Sequence, residues 1–171
     1  MGRPRPPEVV IDVRRMLAWS DEMHAEWKKG LLAMAPDMLA AEVNASFLTP
    51  VGILTHMANV ENAWIDVVEG AAPQWARHST KKWTTLEPVL AYVEETRART
   101  HRVVDGLADK DLERPCAVPG PFKKPAYTIE EILFTIVTHE CFHRGELLAV
   151  FWQKDVTPPV CDYPQYATPL K

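Results

Sequence analysis

The stretch from Ile132 to Val150 constrains the chain more than any other. Advancing about 100° per residue, Ile136, His139, His143, Leu147 and Val150 fall with Ile132 in one narrow stripe, the signature of a helix that buries one face. Two imidazoles occupy the centre of a stripe that is otherwise aliphatic. A buried imidazole without a partner is costly, and a spacing of four residues stacks the rings on adjacent turns where both reach one metal ion. The segment therefore needs a partner helix and carries a polar task into that contact.

Three further segments show the helical period, and none reads as a strand. The first runs from about Glu8 to Met34, with Val9, Val13, Met16, Leu17, Trp19, Met23 and Trp27 on one broad face and Pro36 beyond its end. The second opens at Thr49-Pro50, a capping threonine before proline at the first helical position, and closes at Gly70. The third spans about Leu86 to Leu107. The fourth opens with the capping box Thr128-Ile-Glu-Glu131 and continues to about Lys154. A short helical turn is expected between Asp37 and Val43. Two connections are long: Gly70 to Thr85, and Pro115 to Pro125, which holds four prolines and a glycine and reads as loop. Residues 1–7 are expected to be flexible, and the proline-rich residues 155–171 an extended tail along the bundle. The fold class expected is all-α, one domain over residues 1–171.

His56 repeats the oddity of the fourth helix, since it shares its face with Gly52, Ile53 and Val60 and so is expected to point inward. Ile53-Leu-Thr-His56 also echoes Ile136-Val-Thr-His139, which suggests equivalent places for the two helices in a pseudo-symmetric bundle. If they are neighbours, His56, His139 and His143 form a three-nitrogen site with a position left open. Three neutral imidazoles leave the ion's charge uncancelled, so an anionic oxygen or sulfur ligand is favoured there. Zinc, nickel, copper and iron all suit imidazole. His24, His78 and His101 have no such context and are expected to be exposed.

His139-Glu-Cys-Phe-His143 also satisfies HExxH, the zinc-protease pattern in which the glutamate is general base. No glutamate follows Glu146, Gly145 falls one residue too early for the extended motif, and position 149 is Ala, so a protease is rejected. Glu140 remains the nearest candidate base, or a contact of a histidine ring, with an exposed salt bridge as the alternative reading. Glu146, three residues past His143, and Arg144 are candidates to orient the ligands. Gly145 costs about 1 kcal/mol relative to alanine in a helix, which a close helix contact or room beside the site would explain. Cys141 points about 200° from His139 and cannot easily share its metal.

The balance of the sequence excludes other classes. With 47% hydrophobic residues and a net charge of −4, the chain is suited to a buried core and not to a phosphate backbone. The basic run Arg97-Ala-Arg-Thr-His-Arg102 spreads around its helix among acidic neighbours and reads as a solvated face, so no nucleic acid is expected. No apolar run approaches the roughly 20 residues of a membrane span, and the N-terminal segment lacks the apolar centre of a signal peptide, so the cytoplasm is the expected location. The three cysteines, Cys116, Cys141 and Cys161, contain no CxxC pair and read as reduced thiols. Six tryptophans, Trp64 and Trp152 among them, are expected in core and interface.

Thr49-Pro-Val-Gly-Ile-Leu-Thr-His56, then Glu61 and Trp64, and finally His139-Glu-Cys-Phe-His-Arg-Gly-Glu146 together resemble the DinB/YfiT-like superfamily of metal-binding four-helix proteins, distinct from the polymerase that shares the DinB name. The resemblance runs from the first helix to Pro158-Pro159. It implies a four-helix bundle of up-down-down-up topology, commonly a homodimer, with zinc or nickel held by residues matching His56, His139 and His143. It also implies a small-molecule substrate and, from characterised relatives, S-transfer that uses a low-molecular-weight thiol such as mycothiol, bacillithiol or glutathione. Thiol-dependent transfer to an electrophile is therefore the leading expectation. Hydrolysis by metal-activated water is the second, and a non-catalytic metal-binding protein of the stress response the third.

Overall fold

Four long helices, one short helix, a 3-10 turn at Asp109–Glu113 and a small β-ribbon are found among the described residues, 12–120 and 122–159, of the computed structural model. Helix α1, Val13–Leu32, starts at an N-cap Asp12 whose carboxylate accepts from the Arg14 amide at 2.9 Å, so it begins later than apolar spacing alone suggests. The expected stretch from Glu8 to Ile11, with Val9, lies outside the described residues, as do residues 1–7 and the tail from residue 160 onward. Helix α2 is the short turn Pro36–Ala40. Helix α3, Pro50–Val68, is capped by Thr49, which accepts from the Gly52 amide at 2.9 Å. Helix α4 is Leu86–Asp105. Helix α5, Ile129–Gln153, opens on a complete capping box: the Thr128 amide donates to Glu131 at 3.0 Å and the Glu131 amide to Thr128 at 3.2 Å.

The side-chain bonds between helices fix their directions. Along α3 and α4, Asn62 donates to Thr96 and Arg99 donates to Asp66, so residue numbers rise together and the helices are parallel. Ser20 meets Glu140 and Trp27 packs edge-on against Phe151, which makes α1 and α5 parallel as well. His101 meets Asp21 while Lys28 meets Glu94, so α1 and α4 are antiparallel. The result is an up-down-down-up four-helix bundle with its core among residues such as Leu31, Ile53, Val89, Ile132 and Phe151. This topology explains the long 69–85 connection, because parallel neighbours need a chain return over the roughly 28 Å rise of α3. Two anchors on α3 hold that return: Asp66 takes Arg77 at 2.9 and 3.0 Å, and Asn59 exchanges two bonds with the His78 backbone.

The absence of strands did not hold. Pro115–Ala117 (β1) pairs antiparallel with Ala126–Thr128 (β2), Cys116 opposite Tyr127. Strands of three residues are too short to show a period in sequence, and Pro115 sits at the start of β1 while Pro119 and Pro125 lie outside the ladder. The ribbon brings Tyr127 and Phe122 onto Trp64 and Trp75. Trp19, Trp27 and Trp64 are buried as expected, but Trp152 is 66% exposed.

Candidate metal centre

On α3 every residue is buried except His56 and Val60. His56 thus lies on the least covered face of its helix, not at the bundle centre, and it looks across a seam towards α5. Phe47 covers it, with the rings stacked at 4.0 Å between centroids. Gly52, one turn before His56, lets the loop come this close: a Cβ there would stand 2.6 Å from the Phe47 carbonyl. The left-handed backbone of Leu48, φ 62°, then turns the chain from Phe47 into the Thr49 cap.

His139 and His143 come from the α5 stripe and complete the group. His139 Nε2 stands 3.2 Å from His56 Nε2 and 3.2 Å from His143 Nε2. All three ligand atoms lie within 4.8 Å of one another. Two imidazoles sharing a tetrahedral ion at 2.0–2.1 Å place their nitrogens roughly 3.3–3.4 Å apart, so the spacing suits one ion with little rearrangement. Glu146 accepts from His143 Nδ1 at 2.6 Å, which fixes the ring's proton on Nδ1 and leaves the Nε2 lone pair facing the other histidines. The same carboxylate accepts from the Ser46 hydroxyl at 2.8 Å and the Ser46 amide at 3.2 Å, tying the loop over the site to its ligand. Burial would raise the Glu146 carboxyl, but the bonds from His143 and Ser46 bring it below its ordinary value.

Electrostatically the group is ready for a cation. Burial, and then the charge of His143, lowers His56 to about 4. Burial, and then His143 and His56, lowers His139 to about 4. Both rings are therefore neutral near pH 7 with lone pairs available.

The other site candidates stand elsewhere. Glu140 is buried and both its oxygens are engaged away from the imidazoles: Oε1 meets His24 Nδ1 at 2.8 Å, and Oε2 accepts from Arg97 at 2.7 Å and from Ser20. Burial would raise its carboxyl, yet Arg97, His24 and Arg144 hold it well below the usual carboxylate range. A carboxylate so committed is a poor base for water at the histidines, which corrects the role expected of it. The alternative of an exposed salt bridge fails too, since the pair is interior. Arg144 is buried over the face of Trp19 at 4.8 Å and bonds the Cys141 sulfur at 3.4 Å, with no bond to a histidine. Gly145 makes no close helix contact, because an added Cβ would meet nothing within 4 Å.

Arg97 overturns the reading of its basic run as a solvated face. It is 8% exposed and faces Glu140, Glu61 at 3.5 Å and Asp21 at 3.4 Å. A helix-face argument misses this because the partner carboxylates come from three other helices. His24 and His101 are half-buried beside Glu140 and Asp21, and His78 packs edge-on against Trp83 and Tyr92, so none of the three is simply exposed. Ser46 and Phe47 were not legible as site residues, since nothing in the sequence links that loop to α5. Cys116 and Cys141 are free thiols, neither is in the metal group, and Cys161 lies outside the described residues.

An up-down-down-up bundle with three imidazoles converging between its parallel pairs defines a metal-site helical class. The chain belongs to the DinB family, whose family model matches residues 11–170. Similar solved structures include YfiT from Bacillus subtilis, described as a probable metal-dependent hydrolase with an unusual four-helix bundle topology. It shares 19% identity at a TM-score of 0.65, over 92% of this chain and 97% of that one. A DinB-like protein from Bacillus cereus ATCC 10987 shares 15% identity at a TM-score of 0.63, covering 83% and 94%. A conserved protein from Enterococcus faecalis shares 13% at 0.61, covering 83% and 96%. No curated protein matches the chain. No helix among the described residues is long and apolar enough to cross a membrane.

Proposed function

We propose that the protein is a divalent-metal-dependent hydrolase of a small molecule, with His56, His139 and His143 as the ligands. The observation that carries this reading is the pair of 3.2 Å contacts between Nε2 atoms, combined with the Glu146 bond that turns His143 Nε2 towards them. His56, His139 and His143 would hold the ion, which would supply Lewis acidity for activating water. The protein's own residues supply orientation. Glu146 and Ser46 fix the His143 ring, and Phe47 fixes His56 by stacking. Phe142, edge-on to His143 at 5.0 Å and 66% exposed, leaves an apolar rim on the α5 side. The likeness to YfiT adds support for hydrolysis over thiol-dependent transfer, for which neither the site nor the comparisons offer an observation. The metal is assigned no further than a divalent ion that accepts imidazole.

Metal analysis of untagged protein beside its His56→Ala variant tests the ligand set, with a loss of most bound metal expected. Retention of the full complement by the variant overturns it. Turnover of activated esters and amides, with and without mycothiol, bacillithiol or glutathione, tests the reaction. Cleavage that needs metal but no thiol is expected; product formed only with thiol, and containing it, overturns hydrolysis.

A further inference from the structure

A cavity of about 440 Å³ lies inside the bundle on the side of α3 and α5 away from the three histidines, none of which lines it. Its volume is within the range of small-molecule sites. The walls are apolar, with Trp27, Leu31, Leu90 and Leu147 contributed by α1, α4 and α5. Helix α1 packs mainly on α5 and α4 mainly on α3, which leaves the α1–α4 seam thinly closed. Ala25 of α1 and Ala98 of α4 line the cavity and are themselves exposed, so two small side chains form its rim.

One end of the cavity is polar in an unusual way. Arg144 lines it and is 5% exposed, yet among the described residues its Nη1 has no hydrogen-bond partner and no carboxylate stands within 4.0 Å of it. A guanidinium cannot shed its charge, and a buried donor left unpaired is costly. Arg97, also lining the cavity, shares three carboxylates; Arg144 feels the charge of Glu140, but among the described residues its direct partners are the Trp19 face and the Cys141 sulfur. Between the cavity and His139 lies a void of about 10 Å³, room for a single water at most, which shares His24 and Glu140 with the cavity lining.

We propose that this cavity is a second binding site, taking a small, mainly apolar molecule that places an acceptor oxygen, from a carboxylate or a carbonyl, on Arg144. The apolar body lies among the leucines and Trp27, and entrance is over Ala25 and Ala98. This inference is independent of the metal reading, and its test is run on chelator-treated protein so that the two can fail separately.

The probes are 2-naphthoate, 2-acetonaphthone and 2-ethylnaphthalene, which share a body and differ in the oxygen; binding is followed by amide chemical shifts and calorimetry. Tighter binding of the two oxygen-bearing probes is expected, with shifts confined to the cavity-facing parts of α1, α3, α4 and α5, Leu54 and Met57 of α3 included. Preference for the acid identifies a carboxylate as the natural head, and preference for the ketone a neutral carbonyl. Arg144→Met is expected to weaken both at least tenfold and leave the hydrocarbon unchanged. Ala98→Phe, a rim change that spares the core, is expected to abolish all binding, and it decides the question alone should Arg144→Met not fold. Equal binding of all three probes, no binding, or full binding by Ala98→Phe overturns the proposal.

Discussion

Gly145 occupies the interior of α5 with open space where its Cβ would be. Neither a close contact nor a positive φ requires glycine there, so Gly145→Ala is expected to stabilise the fold by about 0.5–1 kcal/mol through backbone entropy. A urea titration with an unchanged slope and a raised midpoint checks this; a lowered midpoint would show that the site exploits the looser helix. One residue further on, Glu146 governs a proton instead of a fold. Replacing it by Gln removes the charge that holds the His143 proton on Nδ1, and metal affinity should fall roughly 10–100-fold with the bundle intact. Competition with a chromogenic chelator measures the loss, and unchanged affinity would mean that the ring is oriented by packing alone. The sequence exposes Glu146 because three residues is a helical neighbour distance from His143. Ser46, which completes the same carboxylate's bonds, is a hundred residues away and invisible to any periodic argument.

Among elements, the polar contacts form two seams that respond to acid at different stages. On the α3–α5 seam His56 and His139 are lowered from 6.5 to about 4, so in metal-free protein the unfolded chain takes up protons first as pH falls below 6.5. Stability from this seam is complete above pH 6.5 and drains away between there and about 4. At the α1–α4–α5 contact Glu140 is depressed from its ordinary 4.5, so its share is complete above that value and is lost only as pH falls further. Chemical denaturation at a series of pH values should resolve both stages. His56→Ala should shrink the first, and Glu140→Gln should erase the second while costing about 3 kcal/mol at neutral pH by leaving Arg97 underpaired. A cost near zero would mean that Arg97 is satisfied by Asp21 and Glu61. The helices carrying these seams were legible because Thr49-Pro50 and the Thr128–Glu131 box announce their starts. The pairing of Arg97 with Glu140 was not, since each helix shows its period but not which charged neighbour will be folded against it.

For the whole molecule, the three histidines join parts of the chain that nothing local holds together: α3, α5 and, through Glu146 and Ser46, the loop before α3. An unfolded chain cannot keep His56 beside His139, eighty-three residues away, so an ion bound at this seam favours the folded state almost exclusively. At free metal one hundred times the dissociation constant, linkage gives about 2.7 kcal/mol of added stability. For a chain of this size that corresponds to a rise in Tm of roughly 5–10 °C. Scanning calorimetry of stripped protein, titrated with zinc or nickel, should show a Tm that climbs with metal concentration and returns when a chelator is added. His56→Ala should keep the metal-free Tm to within a few degrees and lose the climb. An equal climb in that variant would place the stabilising ion somewhere other than between α3 and α5, and the three-imidazole seam would then have to be explained as packing.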